Sequence, residues 1–399
     1  MNKIFLILLS LTLLCPASYA LTFDESYLLA VKNNYQIKKN QFDSLYYKDL
    51  AKTINRNLNL SYSLKNSYES GQPKLDYMIS DKIDFFNLNK LKIDAYDYYY
   101  QANMVMTYQQ KRTLVNDIAD TYFSLLMSKE QYKISLENIK WTKQLLKNTT
   151  ILQDAGKVAL VDTILAKANL NDAIAKSKTY IEQVKNNQNK LKELTGSSSD
   201  PVTPELPKLL KENFYIIEYV NHDPNIKFYD LTNKGISLEA EYDEKTNIFS
   251  PSLYSDFQTN KDATSNISTA AIIFGIDVSG VYNPNFIYQR RAREKQILSN
   301  EEQAKQSIRD DKIFIDKLYH DALSFGQNVL LLEENSILRQ DIIRRMEEGY
   351  KVKYISLVDL LKVRNDHINN LYALSDAKIN LLKNSILLEK LVSDKLYAD

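Results

Sequence analysis

The sequence predicts a mainly α-helical protein with a small β part: two internal repeats, each a long coiled-coil hairpin, and four transmembrane β-strands per chain. Three observations predict it. The stretch Gly156-Lys157-Val158-Ala159-Leu160-Val161-Asp162-Thr163-Ile164-Leu165 returns about 197 residues later as Lys353-Tyr354-Ile355-Ser356-Leu357-Val358-Asp359-Leu360-Leu361, and a constant offset marks an internal repeat. From Asn89 to Ala155 there is neither Pro nor Gly, which predicts a helix far longer than a globular one, a coiled coil or helical tube. Short segments before each long helix alternate apolar and polar residues, the period of a strand.

Composition narrows the function classes. Lys and Arg total 51 and Asp and Glu 50, a net charge of +1, which argues against a general nucleic-acid binder. With only 8 Gly and 8 Pro the chain has too few turn residues for a compact α/β enzyme of this length. The 28 Tyr suit surfaces that are apolar at one end and wet at the other.

Residues 1–20 read as a secretory signal peptide: Lys3 supplies the charge, Ile4 to Leu14 the apolar run, and Ser18-Tyr19-Ala20 the cleavage pattern. Cys15 is the only cysteine, and the bulky Leu14 before it disfavours lipidation. The mature chain then has no thiol. No later apolar run is long enough for a spanning helix, so a membrane crossing must use strands.

The first repeat covers 21–196. Thr22 and Glu25 have capping-box spacing, and a helix is expected from there to about Asn55. A strand pair follows within 58–86. Leu58, Leu60, Tyr62 and Leu64 alternate with polar residues; Gly71-Gln72-Pro73 makes the turn; Leu75, Tyr77, Ile79, Ile83 and Phe85 resume the alternation. Asp81 falls on the apolar side, so a bulge or an early strand end is expected there. The long helix then runs to the tip at Gly156. Beyond the tip, Leu170, Ile174, Ser177, Ile181, Val184, Gln188 and Leu191 form a heptad seam. Residues 197–209 are a linker with Pro201, Pro204 and Pro207.

The second repeat covers 210–399. It opens with a helical segment from about Lys211 to Tyr242, interrupted near His222-Asp223-Pro224. Its strand pair lies within 250–282, most clearly where Ile272, Phe274, Ile276 and Val278 alternate with Ile273, Gly275, Asp277 and Ser279. Asn283-Pro284-Asn285 starts the next long helix, the tip falls at 350–357, and a last helix carries Leu371, Leu374, Leu381 and Leu388.

This order resembles the TolC-like outer-membrane efflux protein family over essentially the whole mature chain. The resemblance is carried by Leu21-Thr22-Phe23-Asp24-Glu25 with Asn33-Asn34 following, by Gly156 to Leu165, by the strand-to-helix joint Ile276 to Arg291, and by Gly349 to Asp359. It implies a homotrimer in the outer membrane of a Gram-negative bacterium, with a periplasmic helical extension, the α-barrel. Four strands from each of three chains would make a 12-stranded barrel, an even number as such barrels require. The implied function is the channel of a tripartite efflux system. It would be a passive duct leading from a periplasmic adaptor (membrane fusion) protein and an inner-membrane pump of RND, ABC or MFS type. The outer-membrane component of type I protein secretion is the alternative cargo reading. A periplasmic coiled-coil scaffold without a pore is the rival from another class, which the strand near Ile272 to Val278 opposes.

The resemblance also assigns the tips. Gly156, Lys157, Val158, Lys353 and Tyr354 fall where the family docks its adaptor. Tyr350 matches a closing tyrosine and Asp162 its acceptor, a bond to a charged group worth about 1.5–3 kcal/mol. Ile355 stands where well-studied members have an arginine. Asp359 matches a carboxylate at the pore constriction. Lys362 replaces a second Asp one turn on and is spaced to pair with Asp359 at i,i+3, weakening cation selectivity. Lys353 stands at the Gly156 position, and a Lys avoids positive φ, so the two tips are expected to differ in backbone.

No catalytic, cofactor or metal site is predicted. His222, His320 and His367 lie far apart in sequence, and no phosphate loop or nucleophile motif appears. Arg290, Arg291 and Arg293 read as a solvated helix face, a pore lining or a contact with outer-membrane lipid headgroups. Tyr98-Tyr99-Tyr100 reads as interhelical packing or an aromatic belt.

Overall fold

A computed structural model of the chain describes residues 20–54, 60–69, 72–82, 88–248, 250–261, 268–279 and 285–392. The expected leader up to Tyr19, Gly71, Ile83, Phe85 and Asn283-Pro284 lie outside the described residues. In chain order the elements are α1 (Phe23–Asn33), α2 (Tyr35–Ile54), β1 (Leu60–Glu69), β2 (Gln72–Lys82), α3 (Leu88–Asp154), α4 (Leu160–Thr195), α5 (Glu212–Asn221), α6 (Pro224–Ile248), β3 (Ser250–Lys261), β4 (Ser268–Ser279), α7 (Phe286–Lys351) and α8 (Leu357–Leu391). The chain is mainly helical with one small sheet, as its periodicities predict. It divides into two units, one of residues to 35, 110–222 and from 311, the other of residues 36–109 and 223–310.

The second unit holds the sheet, ordered β1-β2-β3-β4 and antiparallel throughout. Cross-strand partners share a face, so Tyr62–Ile79, Leu64–Tyr77, Phe257–Ile272 and Leu253–Ile276 line one side of it. The bulge expected at Asp81 does not form. β2 is an inner strand, and Asp81 is in register with Leu60 on one side and Leu253 on the other. Two ladders hold it in line against a single polar residue on the apolar side. On the opposite face Gly275 pairs with Tyr254, whose ring lies where a Cβ would sit, within 2.4 Å.

In the same unit, Ala102 and Val105 of α3 pack on Leu231 of α6 with Tyr98 and Phe228. Tyr99 packs between helices, its hydroxyl donating to Glu239 at 3.0 Å and its ring filling the space over Gly235. Two of the three clustered arginines are ion-paired: Arg293 with Asp243, and Arg290 with Glu294 at 3.3 Å and Glu244 at 3.9 Å.

In the first unit the capping box is formed. The Thr22 hydroxyl accepts from Glu25 N at 3.2 Å and Thr22 N donates to the Glu25 carboxylate at 2.9 Å. The single helix expected from there to Asn55 is instead two. Asn34 is extended (φ −72°, ψ 119°), and the Asn33 amide donates to Thr195 O at the end of α4, 2.8 Å away. That tie turns the chain. It also requires Gly196, which has φ 73° and where a Cβ would meet the Asn33 amide nitrogen at 2.9 Å. The seam read along α4 is buried at Ser177, Val184 and Leu191, with small Ala166 and Ala173 added to it. The linker is anchored: Leu21 N donates to Asp200 O (2.7 Å), Val202 N to Leu21 O (3.1 Å), and fully buried Tyr122 sits under both segments.

Candidate functional site

Both tips are built by the same local chemistry. α3 ends in a Schellman turn, with Lys157 N donating to Leu152 O at 2.7 Å, Gly156 N to Gln153 O at 2.8 Å, and Gly156 at φ 68°. α7 ends in the same turn, with Tyr354 N to Gly349 O at 2.8 Å, Lys353 N to Tyr350 O at 3.0 Å, and Lys353 at φ 65°. The expectation that the two backbones differ is therefore corrected. The paired bonds to the last helical carbonyls hold Lys353 in the left-handed region despite its Cβ. That conformation costs a non-glycine residue about 1–2 kcal/mol. Lys353→Gly should accordingly stabilise the fold by about 1 kcal/mol, and Gly156→Ala should destabilise it by a similar amount. Nothing lies within 4 Å of a Cβ added at Gly156, so the second effect is purely backbone. Chemical denaturation of the two variants measures both.

The tips share one apolar core of Leu145, Ala166, Tyr350, Leu357 and Leu360, with Leu152, Val158 and Met346 packed against it. Val158, expected at a docking surface, is thus half-buried packing. Ile355, at the family's arginine position, is also half-buried, and it packs on Gly349, where a Cβ would meet its side chain at 2.9 Å. An apolar contact stands where a charged pair was absent from the sequence.

Tyr350 is central to this core and only 6% exposed. Its hydroxyl has no hydrogen-bond partner among the described residues, so the expected bond to Asp162 is not made. The ring is held down by apolar neighbours, and nearby Thr149 spends its hydroxyl on Leu145 O at 2.9 Å. Burial raises the Tyr350 pKa, the neighbouring Thr149 side chain opposes the rise, and the Asp162 charge adds to it.

Asp359 is exposed at the start of α8, and its partner is the N-cap rather than Lys362. The Ser356 hydroxyl donates to its carboxylate at 2.7 Å and accepts from its amide at 3.1 Å. The expected i,i+3 pairing is corrected: a short Asp side chain at the third helical position reaches back to the cap more readily than forward to a long, solvated Lys. Lys362 is exposed and, among the described residues, forms no ion pair with Asp359. Outward from the core, Lys157, Lys353 and Gly156 are exposed, Tyr354 is 90% exposed and Leu160 61%.

Three residues not singled out in the sequence stand behind the tips. Trp141 donates through its indole N–H to Glu347 at 2.6 Å, and the Arg364 guanidinium lies 4.8 Å from the Trp141 ring centre. Trp141 and Glu347 border an open groove of about 510 Å³ that reaches Tyr350. Only a single Trp in the chain could have marked this position beforehand.

Residues 52–197 match the family model described as outer membrane efflux protein. No curated protein matches the chain by sequence. Solved structures match it at low identity over nearly its whole length. The Campylobacter jejuni CmeC outer membrane channel is 16% identical, covering 93% of this chain and 85% of that one, with a TM-score of 0.73. The Vibrio cholerae outer membrane protein VceC is 13% identical over 93% and 95%, with a TM-score of 0.69. The open state of the Neisseria gonorrhoeae MtrE outer membrane channel is 13% identical over 93% and 88%, with a TM-score of 0.67. At such identities the structures establish the fold, and the family match agrees with it.

Proposed function

We propose that this chain, a TolC-like outer-membrane efflux protein by family match and by fold, is the outer-membrane duct of a tripartite exporter. One observation carries the proposal. The four-stranded sheet presents an exposed apolar face, with Tyr62 and Phe274 each 79% exposed and Leu64 and Ile276 each 65%. Its outer strands, β1 and β4, are edges. In hydrocarbon each unpaired backbone group costs several kcal/mol, so a lipid-facing sheet must close on itself. Four strands cannot enclose a pore, but three copies supply twelve. The homotrimer follows from that closure. The protein sits in the outer membrane of a Gram-negative cell, with its helices extending into the periplasm. It is a passive duct and not an enzyme; an inner-membrane pump of RND, ABC or MFS type, joined through an adaptor, supplies the energy.

Within this reading residues 21–196 and 210–399 are equivalent halves of the subunit wall, joined by 197–209, and the shared tip turn supports it. Exposed Tyr354, Lys157 and Leu160 form the adaptor surface. Asp359, in three copies, rings the constriction.

Expressed in a Gram-negative host, the protein should fractionate with the outer membrane, appear as a trimer by native mass spectrometry, and conduct in planar bilayers. A soluble, non-conducting monomer would overturn the duct. In asymmetric salt the channel should show a weak cation preference that Lys362→Asp raises several-fold and Asp359→Asn abolishes. An unchanged reversal potential in both variants would remove these residues from the constriction. Drug sensitivity of a deletion strain separates efflux from protein secretion as the cargo class.

A further inference from the structure

His320 does not stand alone. It lies one turn beyond Asp316 on α7, and the start of α5 brings Glu212 to the same place. His320 Nε2 is 3.4 Å from Asp316 Oδ1 and 3.7 Å from Glu212 Oε1. The candidate ligand atoms of all three residues lie within 4.8 Å of one another. Metal bonds of about 2.0–2.1 Å in a tetrahedral site put ligand atoms about 3.3 Å apart, close to the spacings found.

We propose that Glu212, Asp316 and His320 form a binding site for a divalent transition-metal ion, with water completing the coordination. Two further features support it. The candidate ligand oxygens of Glu212 and Asp316 lie within 4.8 Å of each other, so two acceptors converge beside the imidazole. Among the described residues no Lys or Arg forms an ion pair with either carboxylate, so the cluster has excess acceptors. The helix pair is also fixed independently of the ligands. Tyr215, one turn beyond Glu212 on α5, packs on Tyr319 with ring centres 6.2 Å apart, and Tyr319 meets the His320 ring edge-on at 5.8 Å. The ligands are thus held near one another before any ion arrives.

His222 shows the contrast. Its ring nitrogen lies 2.9 Å from Glu218 O and 3.7 Å from the Glu218 carboxylate, one turn back in the chain, which makes a local cap rather than a site.

One imidazole and two carboxylates suit zinc, cobalt or nickel. Calcium and magnesium prefer all-oxygen shells. Asp316 and His320 are exposed, so an ion has access from solvent. Bound metal would clamp the first turn of α5 to α7, just where the 197–209 linker ends.

The test uses the full chain in detergent, stripped with a chelator and titrated with Co²⁺ by visible absorption and with Zn²⁺ by calorimetry. One equivalent per chain is expected, with a tetrahedral-type cobalt spectrum that Zn²⁺ displaces and Mg²⁺ does not. His320→Ala and Glu212→Gln should each weaken Zn²⁺ binding more than about tenfold, with unchanged helical circular dichroism. Absence of a cobalt spectrum, or equal binding by both variants and the unaltered chain, would overturn the site.

Discussion

Tyr350→Phe is expected to leave the tips as stable and as closed as before, whereas Tyr350→Ala is expected to destabilise them by about 3–5 kcal/mol and to raise the closed-state conductance. The difference follows from what Tyr350 touches. Its ring fills the core that joins both tips, while its hydroxyl has no partner among the described residues. Deleting an unsatisfied buried hydroxyl removes a desolvation penalty; deleting the ring opens a cavity among Leu145, Leu357 and Leu360. A tyrosine–carboxylate latch would behave otherwise, with Tyr350→Phe alone costing about 1.5–3 kcal/mol. Unfolding midpoints and single-channel records of the two variants distinguish the cases. An equal loss in both would restore the latch.

Tyr122→Phe should cost about 1–3 kcal/mol. The Tyr122 hydroxyl has two acceptors in reach, Val202 O at 2.5 Å and Leu21 O at 2.9 Å, and accepts from Val202 N at 3.1 Å, so one group pins the segment at Leu21 and the linker together. Its loss takes the 2.5 Å bond from Val202 O, while Val202 N and Leu21 O keep each other at 3.1 Å. Burial pushes the Tyr122 pKa from 10.0 up to about 12. The folded state therefore favours the neutral phenol. The resulting stability is complete below the unfolded value and is lost as pH rises from about 10 through about 12. Stability against pH should fall less steeply in this range for Tyr122→Phe than for the unaltered chain. Identical alkaline slopes would place the titration elsewhere.

The order of elements was legible because it rests on periodicity, which each stretch carries by itself. Alternation at Ile272 to Ile276 and the absence of breakers from Asn89 to Ala155 required no knowledge of the rest of the chain. The misses share a different cause: each depends on a partner distant in sequence or on local competition. The break at Asn34 comes from Asn33 reaching Thr195. Lys353 at positive φ is imposed by carbonyls of the preceding helix. Asp359 had two candidate partners, and geometry chose Ser356. The neighbours of His320 are carboxylates, one of them on another helix, which the spacing of histidines does not reveal.

The matching turns at Gly156 and Lys353 have a consequence for recognition. With one backbone scaffold serving both ends, any molecule that distinguishes them must do so by surface chemistry. Lys157 and Leu160 mark one end, Tyr354 and Val358 the other. The loops are therefore interchangeable cassettes: transplanting residues 156–158 into 353–355 would swap the label and keep the mount, the Ser356 cap included.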